Sequence, residues 1–321
     1  MKRTLRGTYI VIVLIFGALA LSACGNRATK ACGEKQIVVT IPPLQGLVKE
    51  IVGEDYEVAC LLPAGASPET YSPTARQVSM LADAQFVFTV GTLSFEQELV
   101  WRLENQRDKV VATAEGIELL AGCGHSHNVA EEAHEHECEH GEEANHEAVA
   151  EHGEHAHSHH HHSVDPHAWL APRELQVIVD NIAREIVAQN PDSTKYRANY
   201  EQLKAKLEQR TEAYREVLIS APRAFLIYHP ALGYLAKEYG LEQISLENEG
   251  KTPTPVALAG VVDRVEKEGL KTMFYQQEYP ISVVKPIAEI LGVNLVEINP
   301  LSSDIISELD NIVKALTNNN E

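Results

Sequence analysis

Basic residues are scarce in this sequence. Against 46 Asp and Glu, its 321 residues hold only 27 Lys and Arg, a formal charge of −19 with histidine neutral. Such a balance repels phosphate backbones and anionic headgroups, which excludes general nucleic-acid binding and electrostatic membrane adhesion and favours cations as partners. Long apolar stretches are lacking too: the run at residues 9–21 has 13 residues, short of the roughly 20 that a bilayer-spanning helix needs. Cysteine is sparse, with five in all. At roughly 100–200 residues per domain the chain has room for two domains with cores of their own, so a small disulfide-stapled module is excluded.

Lys2, Arg3 and Arg6 precede the short apolar run, the layout of a secretory signal peptide. The run ends in Leu21-Ser22-Ala23-Cys24-Gly25, which resembles the lipobox of bacterial lipoproteins. That resemblance implies a leader at residues 1–23, lipid attachment at Cys24, and an extracytoplasmic protein whose one membrane contact is its lipid anchor. Residues 24–35 read as a polar tether. Thiols outside the cytoplasm can pair. Cys32 and Cys60 lie at neighbouring strand candidates, and Cys123 and Cys138 bound or sit within a histidine tract, but spacing does not fix connectivity.

From residue 36 onward, short β-branched runs alternate with helical patterns. Strands are predicted at residues 36–41, 58–62, 86–90 and 110–113, with helices between them at 44–52, 74–84 and 95–104. The same alternation returns after residue 220. This pattern predicts an α/β protein of two lobes, each a parallel sheet flanked by helices. Between them, residues 173–190 and 193–220 read as helices, and the second, at 1.5 Å per residue, reaches about 40 Å and suits a connecting rod. The expected division is an N-terminal lobe at 36–190, a linking helix at 191–220 and a C-terminal lobe at 221–321.

Residues 125–162 hold 13 His and 10 Glu with no Lys or Arg. Such a stretch cannot build a core and is expected to be a loop. Imidazole and carboxylate together predict many weak, overlapping sites for borderline divalent metals. His136-Glu137-Cys138-Glu139-His140 matches the H-E-x-x-H pattern of zinc proteases. At this density of His and Glu the string arises by composition, and no apolar helix face accompanies it.

His167 and His229 are the two histidines outside the tract. Residues 165–172 (DPHAWLAP) resemble the D-P-H-x-W-L-x-P signature of the periplasmic zinc- and manganese-binding proteins that serve ABC metal importers. Residues 225–239 (FLIYHPALGYLAKEY) resemble that family's strand ending in a metal-binding His, and residues 62–73 (LPAGASPETYSP) are similar to its G-x-x-P-H-x-Y-x-P loop. The resemblance covers the chain from about residue 36 to its end. It implies an ion held in the cleft between the lobes by Glu69, His167 and His229, with Glu69 standing where the family most often has His. A carboxylate can replace imidazole on zinc. One negative charge leaves a dication incompletely neutralised and invites a fourth, oxygen ligand. The family's acidic residue after the last strand falls near Asn299, a poor ligand; Asp304 is expected to cap the final helix, and water is the remaining choice. Glu247, Glu249 and Glu278 are further carboxylates that could line the cleft mouth.

The resulting expectation is a monomeric solute-binding lipoprotein, not an enzyme, that captures Zn(II) and hands it to the permease of an ABC transporter. The histidine tract would raise local zinc concentration or sense its abundance, handing ions to the tight site by ligand exchange. Imidazole-rich ligation favours Zn(II) over Mn(II), whose sites lean on oxygen. A manganese or iron carrier, a zinc hydrolase using an open coordination position, and a zinc-buffering adhesin are the alternatives.

Overall fold

The structure, a computed structural model, describes residues 35–122, 164–247 and 253–318. The leader, Cys24, Cys32, Cys123, Cys138, the histidine tract and Glu249 lie outside these residues.

Two four-stranded parallel sheets form, with the same topology. In the first, β1 (Gln36–Val39), β2 (Glu57–Cys60), β3 (Phe86–Thr89) and β4 (Val110–Ala112) lie in the order β2-β1-β3-β4. In the second, β5 (Ala224–Ile227), β6 (Glu242–Ser245), β7 (Thr272–Gln276) and β8 (Asn294–Ile298) lie in the order β6-β5-β7-β8. Central strands covered by helices on both faces read as unbroken apolar runs; Ile37, Val38 and Val39 are fully buried, as are Leu226 and Ile227.

Helix boundaries follow local chemistry. α1 (Pro42–Val52) opens on two prolines and stops at Gly53, whose φ of 62° suits glycine. α2 (Ala75–Asp83) begins with a capping box between Thr74 and Gln77. α3 (Ser94–Arg102) follows β3. α4 (Pro172–Gln189) again starts on proline. α5 (Thr194–Leu218) is the long helix, 25 residues, and buries only Tyr196, Leu203, Leu207, Tyr214 and Leu218 along one stripe. After β5 the chain adds α6 (Gly233–Tyr239), α7 (Pro255–Glu268), α8 (Ile281–Leu291) and α9 (Ile305–Thr317). α5 contacts α4 and α1 of the first lobe as well as α9. Arg210 and Tyr214 of α5 both meet the Asp310 carboxylate of α9, at 2.8 and 2.7 Å. The apolar face of α9 belongs to the same buried cluster as Leu44 and Leu47 of α1.

Cys60, at the end of β2, has no disulfide partner among the described residues, and burial pushes its thiol up to about 12. No helix among the described residues is long and apolar enough to cross a membrane.

Candidate metal centre

Parallel sheets present their ligands at the carboxyl ends of the strands, at the crevice where strand order reverses. In the second sheet that crevice lies between β5 and β7. His229 stands two residues beyond the end of β5, and Gln276 is the last residue of β7. Register aligns Ile227 of β5 with Ser245 of β6 on one side and with Phe274 of β7 on the other. Continuing that register puts His229 level with Glu247 and with Gln276. Both touch it: the Glu247 carboxylate accepts from Nδ1 of His229, and Gln276 Nε2 donates to the His229 carbonyl at 2.7 Å.

The first lobe supplies the other two groups. Glu69 lies on the loop between β2 and α2, and His167 just before a single 3₁₀ turn, Ala168–Leu170, that leads into α4. Asp165 Oδ1 accepts from both the His167 backbone N–H, at 2.9 Å, and His167 Nδ1, at 2.8 Å. Asp165 is 5 % exposed and Glu247 2 %. Each imidazole thus has a buried carboxylate behind Nδ1, which leaves Nε2 as the nitrogen to meet an ion, the usual outer arrangement of metal-binding histidines.

One ligand atom each from Glu69, His167 and His229 lies within 4.8 Å of the others. Glu69 Oε1 is 2.8 Å from His229 Nε2. Tetrahedral ligands at about 2.05 Å from zinc stand roughly 3.3 Å apart, so small side-chain shifts would seat one. The cleft they line is about 30 Å³, room for an ion or a water, walled by Trp169, Tyr279, Pro300 and Leu301. Tyr279 stacks on the His229 ring at 5.7 Å, and Trp169 lies 5.3 Å from His167.

Charge is set by these contacts. Burial alone would pull His229 down, yet hydrogen bonds to Glu247 and Glu69 outweigh it and raise the imidazole to about 9. Burial works to raise Glu69, but its bond to His229 holds the carboxyl below the ordinary value. Without an ion, His229 is therefore an imidazolium clasped between two carboxylates.

The structure brings together the three residues expected to meet, and it redraws their surroundings. Glu247 is not at the cleft mouth but beneath His229. Asp304 caps α9 by accepting from the Ser307 N–H at 3.2 Å, and Asn299 Oδ1 is engaged by the Leu301 N–H at 3.2 Å. Neither lines the cleft. Glu278 does line the cleft. Asp165 went unassigned although it sits two residues before His167, a spacing that could have flagged it.

Fold and site together define a two-lobed α/β binding protein with a histidine-carboxylate pocket in its seam. Residues 37–321 match the family model of zinc-uptake complex component A, periplasmic (ZnuA). The chain belongs to that family. It is similar to the high-affinity zinc uptake system protein ZnuA of Bacillus subtilis, 30% identical over 88% of this chain and 85% of that protein. It also resembles the zinc-binding protein AdcA of Streptococcus pyogenes serotype M3, 28% identical over 90% of this chain. The chain spans about half the length of AdcA, 54%. A solved structure, a 138-173 deletion mutant of ZnuA with zinc bound, covers 90% of this chain at 26% identity and a TM-score of 0.73.

Proposed function

We propose that this protein is an extracytoplasmic solute-binding protein that captures Zn(II) as cargo through Glu69, His167 and His229 and delivers it to the permease of an ABC transporter. The carrying observation is the meeting of those three ligand atoms within 4.8 Å in the seam, with both imidazoles oriented by buried carboxylates. Zinc uptake is named in the description of the family and of the Bacillus subtilis relative. The reading includes Cys24 as the lipid-bearing residue and a monomer that makes and breaks no covalent bond. It keeps the lobe boundaries at 36–190, 191–220 and 221–321.

The test is zinc titration of the full chain against a chelator strong enough to strip weak sites. One tight equivalent is expected. His167→Ala and His229→Ala should each weaken it by 100-fold or more, on the order of 3 kcal/mol at 1.4 kcal/mol per tenfold. Retention of that equivalent in both variants would sink the assignment.

A further inference from the structure

Two buried acceptor atoms beside the pocket have no donor among the described residues: Oε1 of Glu278 and Oε1 of Gln276. Both residues line the cleft that holds Glu69, His167 and His229. Buried polar groups are normally paired, and an orphaned acceptor costs about 1–3 kcal/mol unless something outside the protein meets it. Gln276 is 2 % exposed, and its amide is anchored through Nε2 to the His229 carbonyl, so its oxygen is fixed in place. Glu278 follows two residues later, at the crevice where ligands of such sheets bind.

We propose that Glu278 is the fourth protein ligand of the bound ion, its Oε1 closing the side of the site left open by Glu69, His167 and His229. The proposal rests on the zinc-binding reading above. Charge supports it: Glu69 and Glu278 together neutralise a dication that Glu69 alone would leave half balanced. Position supports it as well, because Glu278 lines the cleft and neither Asn299 nor Asp304 does. Glu278 lies outside the 4.8 Å set of the other three, so ligation requires its side chain to rotate inward as the ion enters. Gln276 Oε1 stays beside it as a neutral acceptor. A fourth, anionic oxygen also makes the donor set two imidazoles and two carboxylates, which hard ions tolerate better than an imidazole-dominated one.

The experiment is a crystal structure of the full chain with one equivalent of zinc, paired with chelator competition on Glu278→Gln. The expected result is a Glu278 oxygen about 2.0–2.2 Å from the anomalous peak. The isosteric variant should lose affinity about 10- to 100-fold while its melting temperature without metal is unchanged or higher. An ion held by the other three residues and water, with Glu278 turned away, overturns the proposal, as does wild-type affinity in Glu278→Gln. His167→Ala separates the two readings. If it abolishes tight binding while Glu278→Gln does not, only the fourth ligand is wrong; if neither variant matters, the cleft itself is not the site.

Discussion

At the scale of single residues, His229 couples the metal to protons. Its imidazole is raised to about 9 by Glu247 and Glu69 against the opposing effect of burial, and a metal must displace the proton on Nε2. Apparent zinc affinity should therefore climb about tenfold per pH unit from pH 6.5 and level off near 9. Competition titrations at stepped pH would check it, and a plateau already at neutral pH would mean His229 meets the ion as a neutral ring. The sign for stability is opposite. A pKa raised above its unfolded value of about 6.5 gives stabilisation that is complete below that value and is lost as pH rises through 9. The metal-free protein should thus melt at progressively lower temperature across this window, the loss being at most about 3 kcal/mol.

How much of this was legible in the sequence also divides by residue. The first three strands were readable because their apolar runs end at Pro42, Pro63 and Gly91. Glu69, His167 and His229 were readable through short local patterns. Glu247 was legible only as a carboxylate near the cleft, not as the partner of His229, and Gln276 not at all, because their relation to His229 spans 18 and 47 residues and exists only once β5 pairs in parallel with β6 and β7. Glu278 drew notice as one carboxylate among several. What singles it out, a buried oxygen without a donor, is a property of packing.

At the scale of elements, close approaches position the pocket. Gly233, the first residue of α6, lies against Asp165: a Cβ there would come within 2.6 Å of Asp165 Oδ2. Since the other oxygen of that carboxylate holds His167 Nδ1, Gly233→Ala should disturb the imidazole as well as the packing. Zinc affinity is expected to fall about tenfold or more. Gly260, inside α7, is the contrasting case, because a Cβ there meets nothing within 4 Å. Gly260→Ala should raise stability by about 0.5–1 kcal/mol through helix propensity and leave zinc affinity alone. Thermal unfolding and chelator competition on both variants decide the matter; equal zinc affinity in the two would mean that α6 does not support the site.

At the scale of the whole molecule, two sheets of like topology meet at a seam tied by cross-lobe contacts. Trp169 Nε1 donates to the Pro300 carbonyl at 2.8 Å, Tyr234 donates its hydroxyl proton to the Asp165 carbonyl at 2.9 Å, and a Cβ on Gly46 would strike the Ser303 carbonyl at 1.7 Å. The ligands thus sit on pieces held against one another, and the ion comes to them. The field of a chain with a formal charge of −19 should draw it, focused where Glu69 and Glu278 line a cleft with aromatic walls and Asp165 and Glu247 back its two imidazoles. Screening shortens that reach from about 30 Å at 0.01 M salt to under about 8 Å above 0.15 M. Zinc association should therefore slow by about tenfold or more between roughly 10 and 300 mM salt. Dissociation, governed by direct ligation, should change far less. Stopped-flow fluorescence of Trp169, with Trp101→Phe removing the second indole, would follow both rates at the pocket itself. An association rate indifferent to salt would mean that capture depends only on the last few ångströms around the ligands, and that the acidity of the rest of the chain plays no part in it.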